Sequence, residues 1–222
     1  MPYTKTFICL ACSRKPDGRC VAGKELVNSG FSGWIRPVTP GDHSAITNGQ
    51  RKYPDGYSAV VLDYVTAEFT GQETGGFQVE NHFISQPSQW KLAGKAKQPA
   101  KDLLAKLVDN PASLWTNTCN DSMNGLNDRV SVDNLVEQVD SLYLIRVTEM
   151  TVHVEVNEEK RKVRGEFVYN SETYKLKITD PKFEQLFEKH DTGVYEISID
   201  YLTISLGEAF EGYAYKLIAA VF

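Results

Sequence analysis

Long apolar runs are missing from this 222-residue chain, which excludes a helical membrane span, since that needs about 18 consecutive apolar residues. The N-terminus, Met1-Pro2-Tyr3-Thr4-Lys5, lacks the apolar stretch of a secretory leader, so cytoplasmic residence is the expectation. Cysteine is scarce. Four residues, three of them at positions 9, 12 and 20, are too few and too uneven for a disulfide framework. Histidine is scarce as well, and His43, His82, His153 and His190 are dispersed. Neither a His-Glu-x-x-His nor a Gly-x-Ser-x-Gly segment occurs, so no catalytic residue is assigned. His43, in Pro40-Gly41-Asp42-His43-Ser44, is the best isolated candidate for acid–base work, because a carboxylate and a hydroxyl adjoin it in a glycine-containing loop.

An excess of cations is also lacking: the formal net charge is −5, which argues against a general polyanion binder. The average hides an asymmetry. Residues 1–60 carry eight cations against four carboxylates, giving +4, so the remainder carries −9. A contact with nucleic acid or a nucleotide is therefore expected in the N-terminal third.

What is present there is a basic segment after an apolar strand, Cys9-Leu10-Ala11-Cys12-Ser13-Arg14-Lys15-Pro16-Asp17-Gly18-Arg19-Cys20-Val21-Ala22-Gly23-Lys24-Glu25. Read as a loop, Ser13 to Lys24 holds an anion: Gly18 and Gly23 let the backbone approach a ligand, and Arg14, Lys15, Arg19 and Lys24 supply donors suited to phosphate. It is not a Walker loop. The glycine-to-lysine spacing is missing, and neither Lys15 nor Lys24 is followed by Ser or Thr.

The second half has the clearer organisation. Leu142 to Val156 reads as a long strand, with Val152, Val154 and Val156 alternating against Thr151, His153 and Glu155. Val163 to Tyr169 and the Tyr174, Leu176, Ile178 alternation give two more strands. Asp180 and Pro181 read as the N-cap and first position of a short amphipathic helix ending before Gly193. A strand through Tyr195, Ile197, Ile199 and Tyr201, a turn over Gly207 to Gly212, and a last strand through Phe222 follow. This β-β-β-α-β-β order is that of an OB-fold.

The first half is compatible with a similar barrel carrying long loops. Its strand candidates are residues 6–12, 33–38, 57–70 and 77–84, separated by loops at 17–32 and 39–56, with a helix over 99–109. The Asn- and Asp-rich segment 116–130 reads as a linker, dividing the chain into 1–120 and 121–222. The fold class expected is mainly β: two OB-like Greek-key barrels in tandem, each with a short helix.

The basic segment, Gly33-Trp34-Ile35-Arg36-Pro37-Val38, Tyr174 through Thr179-Asp180-Pro181, and Ile204-Ser205-Leu206-Gly207-Glu208 through Tyr215-Lys216-Leu217 together resemble the bacterial dual OB-containing domain family. The resemblance spans nearly the whole chain. It implies two OB-like barrels that bind nucleic acid or nucleotides, in proteins found around bacterial conflict systems, and it implies no reaction.

Further candidates follow from the residues. Trp34 and Arg36 share parity on a strand, so Trp34 is placed to stack on a base and Arg36 to fork a phosphate or guanine edge; the alternative is a core tryptophan and a structural arginine. In the second barrel Ser205, Tyr215 and Lys216 match family positions, though Glu208 and Glu211 make that edge acidic. Arg129 either ties the linker to a barrel or reaches a ligand. Cys9 and Cys12 have the spacing of a zinc knuckle, with Cys20 and Cys119 to complete four thiolates. Positions 9 and 12 of one strand point to opposite faces, however, which favours buried thiols, and no metal or cofactor is expected. The first reading is a non-catalytic single-stranded nucleic-acid-binding module. The alternatives are a sensor of a nucleotide or nucleotide-derived signal, and an adaptor that docks a partner enzyme through its acidic second barrel.

Overall fold

The computed structural model describes residues 1–39, 45–73, 75–87, 89–117, 121–135, 140–157 and 160–222. Met1–Leu107 and Val108–Phe222 form two compact units, each built around its own sheet.

In the first unit the strands are β1 (Tyr3–Lys15), β2 (Gly18–Val27), β3 (Gly30–Val38), β4 (Asp63–Gln72), β5 (Asn81–Ile84) and β6 (Lys91–Lys95), followed by the one-turn helix α1 (Lys101–Ala105). The pairing closes on itself: β1–β2–β3 are antiparallel neighbours, β3 runs parallel to β5, β5 pairs β4, and β4 returns to β1. Five strands in that ring form a Greek-key barrel, and β6 extends β4. Alternation fills it. Phe7, Cys9, Val21, Ile35, Val65, Phe69 and Ile84 point inward and pack with Trp90, whose ring meets Phe7 edge-on at 6.2 Å. Each large apolar side chain so buried stabilises the barrel by roughly 1.5–3 kcal/mol.

Four local expectations are corrected here. The segment 17–32, read as a loop, is mostly strand β2, because Val21, Ala22 and Gly23 pair with β1 and β3 despite the flanking glycines and charges. Strands β4 and β5 are shorter than the residues 57–70 and 77–84 suggested, and the helix over 99–109 contracts to α1. Cys9 and Cys12 do not face opposite sides. A β-bulge between Cys9 and Ala11 resets the alternation, and both thiols pack against one core.

The second unit contains β7 (Arg129–Ser131), β8 (Leu142–Arg146), β9 (Glu149–Asn157), β10 (Lys160–Tyr169), β11 (Glu172–Ile178), helix α2 (Pro181–Leu186), β12 (Gly193–Ser198), β13 (Tyr201–Phe210) and β14 (Tyr213–Val221). The strand expected over 142–156 bends at Val147-Thr148 into β8 and β9, and a matching bend at Ile199-Asp200 divides β12 from β13. The bent pair β8/β9 lies against the bent pair β12/β13 along both halves. With β9–β10–β11 antiparallel, β11 parallel to β14, and β14 against β13, the same five-element ring closes a second time. The turn expected over 207–212 narrows to Glu211-Gly212, because β13 continues through Phe210. Asp180 caps α2 by accepting from the Lys182 and Phe183 amides, with Pro181 at the first helical position. Both expected barrels are therefore present, with α2 in the position the sequence indicated.

The sequence boundary at 120/121 and the packing boundary at 107/108 differ because residues 108–117 pack with the second unit. Leu114 and Trp115 are buried, the Tyr174 hydroxyl accepts from Leu114 N and from Asn117 Nδ2, and Trp115 Nε1 donates to Asp140 O.

Candidate functional site

The basic segment is the tip of the β1–β2 hairpin. Pro16 fixes the first corner and Asp17 adopts φ 64°, so Lys15 pairs with Gly18, and Arg14 lies directly across from Arg19. Arg14 is exposed, Lys15 and Arg19 are half-buried, and Arg19 Nη1 donates to Gly18 O. Ser13, opposite Cys20, is buried. The hairpin is held from one side: Arg19 and Ile46 exchange backbone hydrogen bonds at 3.0 and 2.9 Å.

The two glycines serve chain packing. A Cβ on Gly18 would meet Ile46 O at 2.5 Å, and one on Gly23 would run into the Ile8 backbone, so at both positions the close neighbour is another strand or loop. Beside the tip lies a cavity of about 490 Å3 lined by Lys15, Asp17, Thr39, Thr47, Gln50 and Gln86. Sequence reasoning missed Thr39, Thr47, Gln50 and Gln86, because they arrive from three distant segments and carry no local pattern.

The remaining N-terminal candidates do not join this cluster. Lys24 stands five residues along β2 from Arg19, about 16 Å at the strand rise. It is buried, donates from Nζ to Leu107 O at 2.7 Å, and sits 5.5 Å from the half-buried Trp34 ring. Arg36 shares the outward parity of Trp34, but it is buried and paired with Glu80 at 3.1 Å, and its Nη1 reaches Asn81 Oδ1. The expected stacking and forking pair is thereby replaced by two internal contacts. A buried charge without its partner is costly, and Glu80 meets that requirement on the adjoining strand end.

In the second barrel Ser205 and Lys216 are buried and Tyr215 is half-buried. Lys216 has the inward parity of Ala214 and Ile218. Its Nζ donates to Asn117 Oδ1 at 2.6 Å and lies 5.3 Å from the Tyr174 ring centre, and burial pulls its amine down to about 7, partly offset by Asp128, Asp121 and Glu172. It is thus an internal anchor for residues 116–117. Arg129 packs over the Tyr213 ring at 4.2 Å and donates to Asp121 O, so it ties the linker to its own barrel.

The outer face of β9, β10 and β11 borders a cavity of about 530 Å3, lined among others by Thr151, Glu166, Thr173 and Glu196. Arg164 faces Lys177 across this ladder, yet Arg164 lies 3.6 Å from Asp128, Lys175 3.5 Å from Glu155, and His153 Nε2 2.9 Å from Glu166.

Among the described residues no group of three or more His, Cys, Asp or Glu side chains is arranged to hold a metal ion. Burial raises the Cys9 thiol well above its ordinary range and lowers His82 to about 4. His43 and Cys119 lie outside the described residues. No helix among the described residues is long and apolar enough to cross a membrane.

No curated protein and no solved structure gives a significant match to the chain. The sequence model of one family, the dual OB-containing domain, matches residues 5–221, nearly the whole length, and agrees with two closed five-element barrels in one chain. The chain belongs to the dual OB-containing domain family and is an OB-fold binding module.

Proposed function

We propose that the first barrel binds a compact phosphate-bearing ligand of nucleotide size at its hairpin tip. The observation that carries this reading is the opposition of Arg14 and Arg19 across the ladder at the tip of the hairpin, whose other face carries Lys15 on the wall of the 490 Å3 cavity. A phosphate set between the two guanidiniums accepts charge-assisted hydrogen bonds from both. The cavity falls within the range of small-ligand sites, and Thr39, Thr47, Gln50 and Gln86 offer hydroxyls and amides suited to ribose and base edges. A long strand is disfavoured because Lys24 and Arg36, which would extend a basic track over β2 and β3, are engaged inside the protein.

One observation supports single-stranded nucleic acid as a second reading: the second barrel presents Arg164, Lys175 and Lys177 on the OB face formed by its second and third ring strands. It ranks below the first because Arg164 and Lys175 have carboxylate partners. The test titrates the full chain with a fluorescent ADP analogue and with a labelled single-stranded oligonucleotide at several salt concentrations. Expected is nucleotide binding with a salt slope well below the roughly 0.7 per phosphate of a single strand, weakened at least about tenfold by joint Arg14→Ala and Arg19→Ala. Tighter oligonucleotide binding with a steeper slope selects the second reading. Failure of both probes, or binding indifferent to the double substitution, rejects the hairpin site.

A further inference from the structure

The second barrel leaves a strand-shaped gap. β14 ends beside the bend of the fourth ring element, where the Asp200 and Tyr201 amides both donate to Phe222 O. Beyond that point β12 continues for six residues, paired with β9 on one side and, among the described residues, with nothing on the other. Ile199 N donates to Thr148 O, so the alternation of an antiparallel ladder turns the N–H and C=O of Ser198, Glu196 and Val194 toward the open side. No β12 residue is buried, although Tyr195 and Ile197 have inward parity.

Along this edge runs an apolar cavity of about 580 Å3 lined by Phe183, Leu186 and Phe187 from α2 and its end, Ile197 and Ile199, and Phe222. Leu186 is 65% exposed. An open edge is a template for one more strand, and natural sheets usually blunt such edges with lysine, proline or a covering element. Here the charges that frame it are mainly acidic: residues 181–200 hold Glu184, Glu188, Asp191, Glu196 and Asp200 against Lys182 and Lys189, a net of −3 that Arg161, donating to His190 O, reduces to −2.

We infer that β12 is a docking edge for an extended peptide of a partner protein, one with apolar residues at alternate positions and net positive charge. The backbone edge supplies the ladder, the cavity takes the side chains that point toward α2, and the acidic rim selects basic flanks. This surface lies wholly in the second unit and is independent of the hairpin site.

The test pans the full chain against a phage-displayed library of short random peptides and measures the enriched sequences, resynthesised with a fluorophore, by anisotropy. Expected are peptides with alternating apolar positions and positive charge. Glu196→Pro deletes an outward N–H while leaving the β9 ladder intact, since proline is tolerated where its N–H would face away from the sheet. It weakens binding about tenfold or more. Leu186→Asp, at an exposed position, has the same effect by a different route, and Arg14→Ala with Arg19→Ala has none. The inference is overturned if nothing is enriched, if enriched peptides are acidic, or if both barrel-two variants bind them unchanged. Light scattering showing a dimer that Glu196→Pro dissociates also overturns it, because the occupant is then a second copy of the chain.

Discussion

Replacing Lys216 with methionine measures what an inward-facing amine does to the second barrel. Lys216 has its amine near 7 when folded, against 10.5 ordinarily, a difference of 10.5 − 7 = 3.5. At about 1.4 kcal/mol per unit, holding the proton in the folded state costs about 5 kcal/mol, a large share of the roughly 5–15 kcal/mol by which domains are stable. The sign is fixed by which state binds the proton more tightly. Between pH 7 and 10.5 the unfolded chain carries more protons at this site than the folded one, so stability rises with pH. Below 7 both states are protonated and the full penalty is present. Methionine keeps much of the stem and removes the titration, but it takes the donor away from Asn117 Oδ1 and Thr116 O, a loss of about 1–3 kcal/mol. The expected outcome is that the parent gains on Lys216→Met by about 1 kcal/mol per unit as pH rises from 7 to about 9. Urea unfolding of both proteins at matched pH values reads this directly, because groups common to both cancel in the difference. A difference that stays flat across that window refutes the argument.

The remaining expectations concern other sites. Arg36→Met strands the buried Glu80 carboxylate and destabilises the first unit by about 3–5 kcal/mol in denaturant unfolding, while adding Glu80→Leu recovers most of that loss. Gly165→Ala drives a Cβ into Met150 and to 2.7 Å from Ile218 Cδ1, costing roughly 1–3 kcal/mol by the same measurement, with the first unit unaffected. Arg19→Glu replaces one of the two guanidiniums at the hairpin tip with a carboxylate, so phosphate-ligand affinity falls about tenfold or more in the nucleotide titration. His82, lowered to about 4 by burial and with the Tyr3 hydroxyl 2.7 Å from its Nδ1, binds a proton more weakly folded than unfolded. Stability should therefore drop as pH falls from 6.5 toward 4, and His82→Leu should flatten that stretch of the profile.

The second barrel was legible because its alternation is local. Val152 and Val154 against Thr151 and His153, or Leu176 and Ile178 against Lys175 and Lys177, state the strand and its wet face within a few residues, and Asp180-Pro181 states where the helix begins. β2 was not legible. Its glycines and cations imitate a loop, and only pairing with β1 and β3 on both sides makes it a strand. The bulge after Cys9 was hidden for the same reason, since a one-residue register change leaves no mark in the sequence of a single strand.

The sequence by itself determined the two-barrel order of elements, because period-two hydrophobicity and helix caps are written in consecutive residues. It also determined that positive charge gathers near the N-terminus. Only the tertiary structure decided which of those charges meet a surface. Arg14, Lys15 and Arg19 stay together at a hairpin tip, whereas Lys24, Arg36 and Lys216 turn into contacts with Leu107, Glu80 and Asn117, partners 44 to 99 residues away. Charge is a property of a residue, but its availability depends on what the closed barrel brings against it, and that is set by long-range packing.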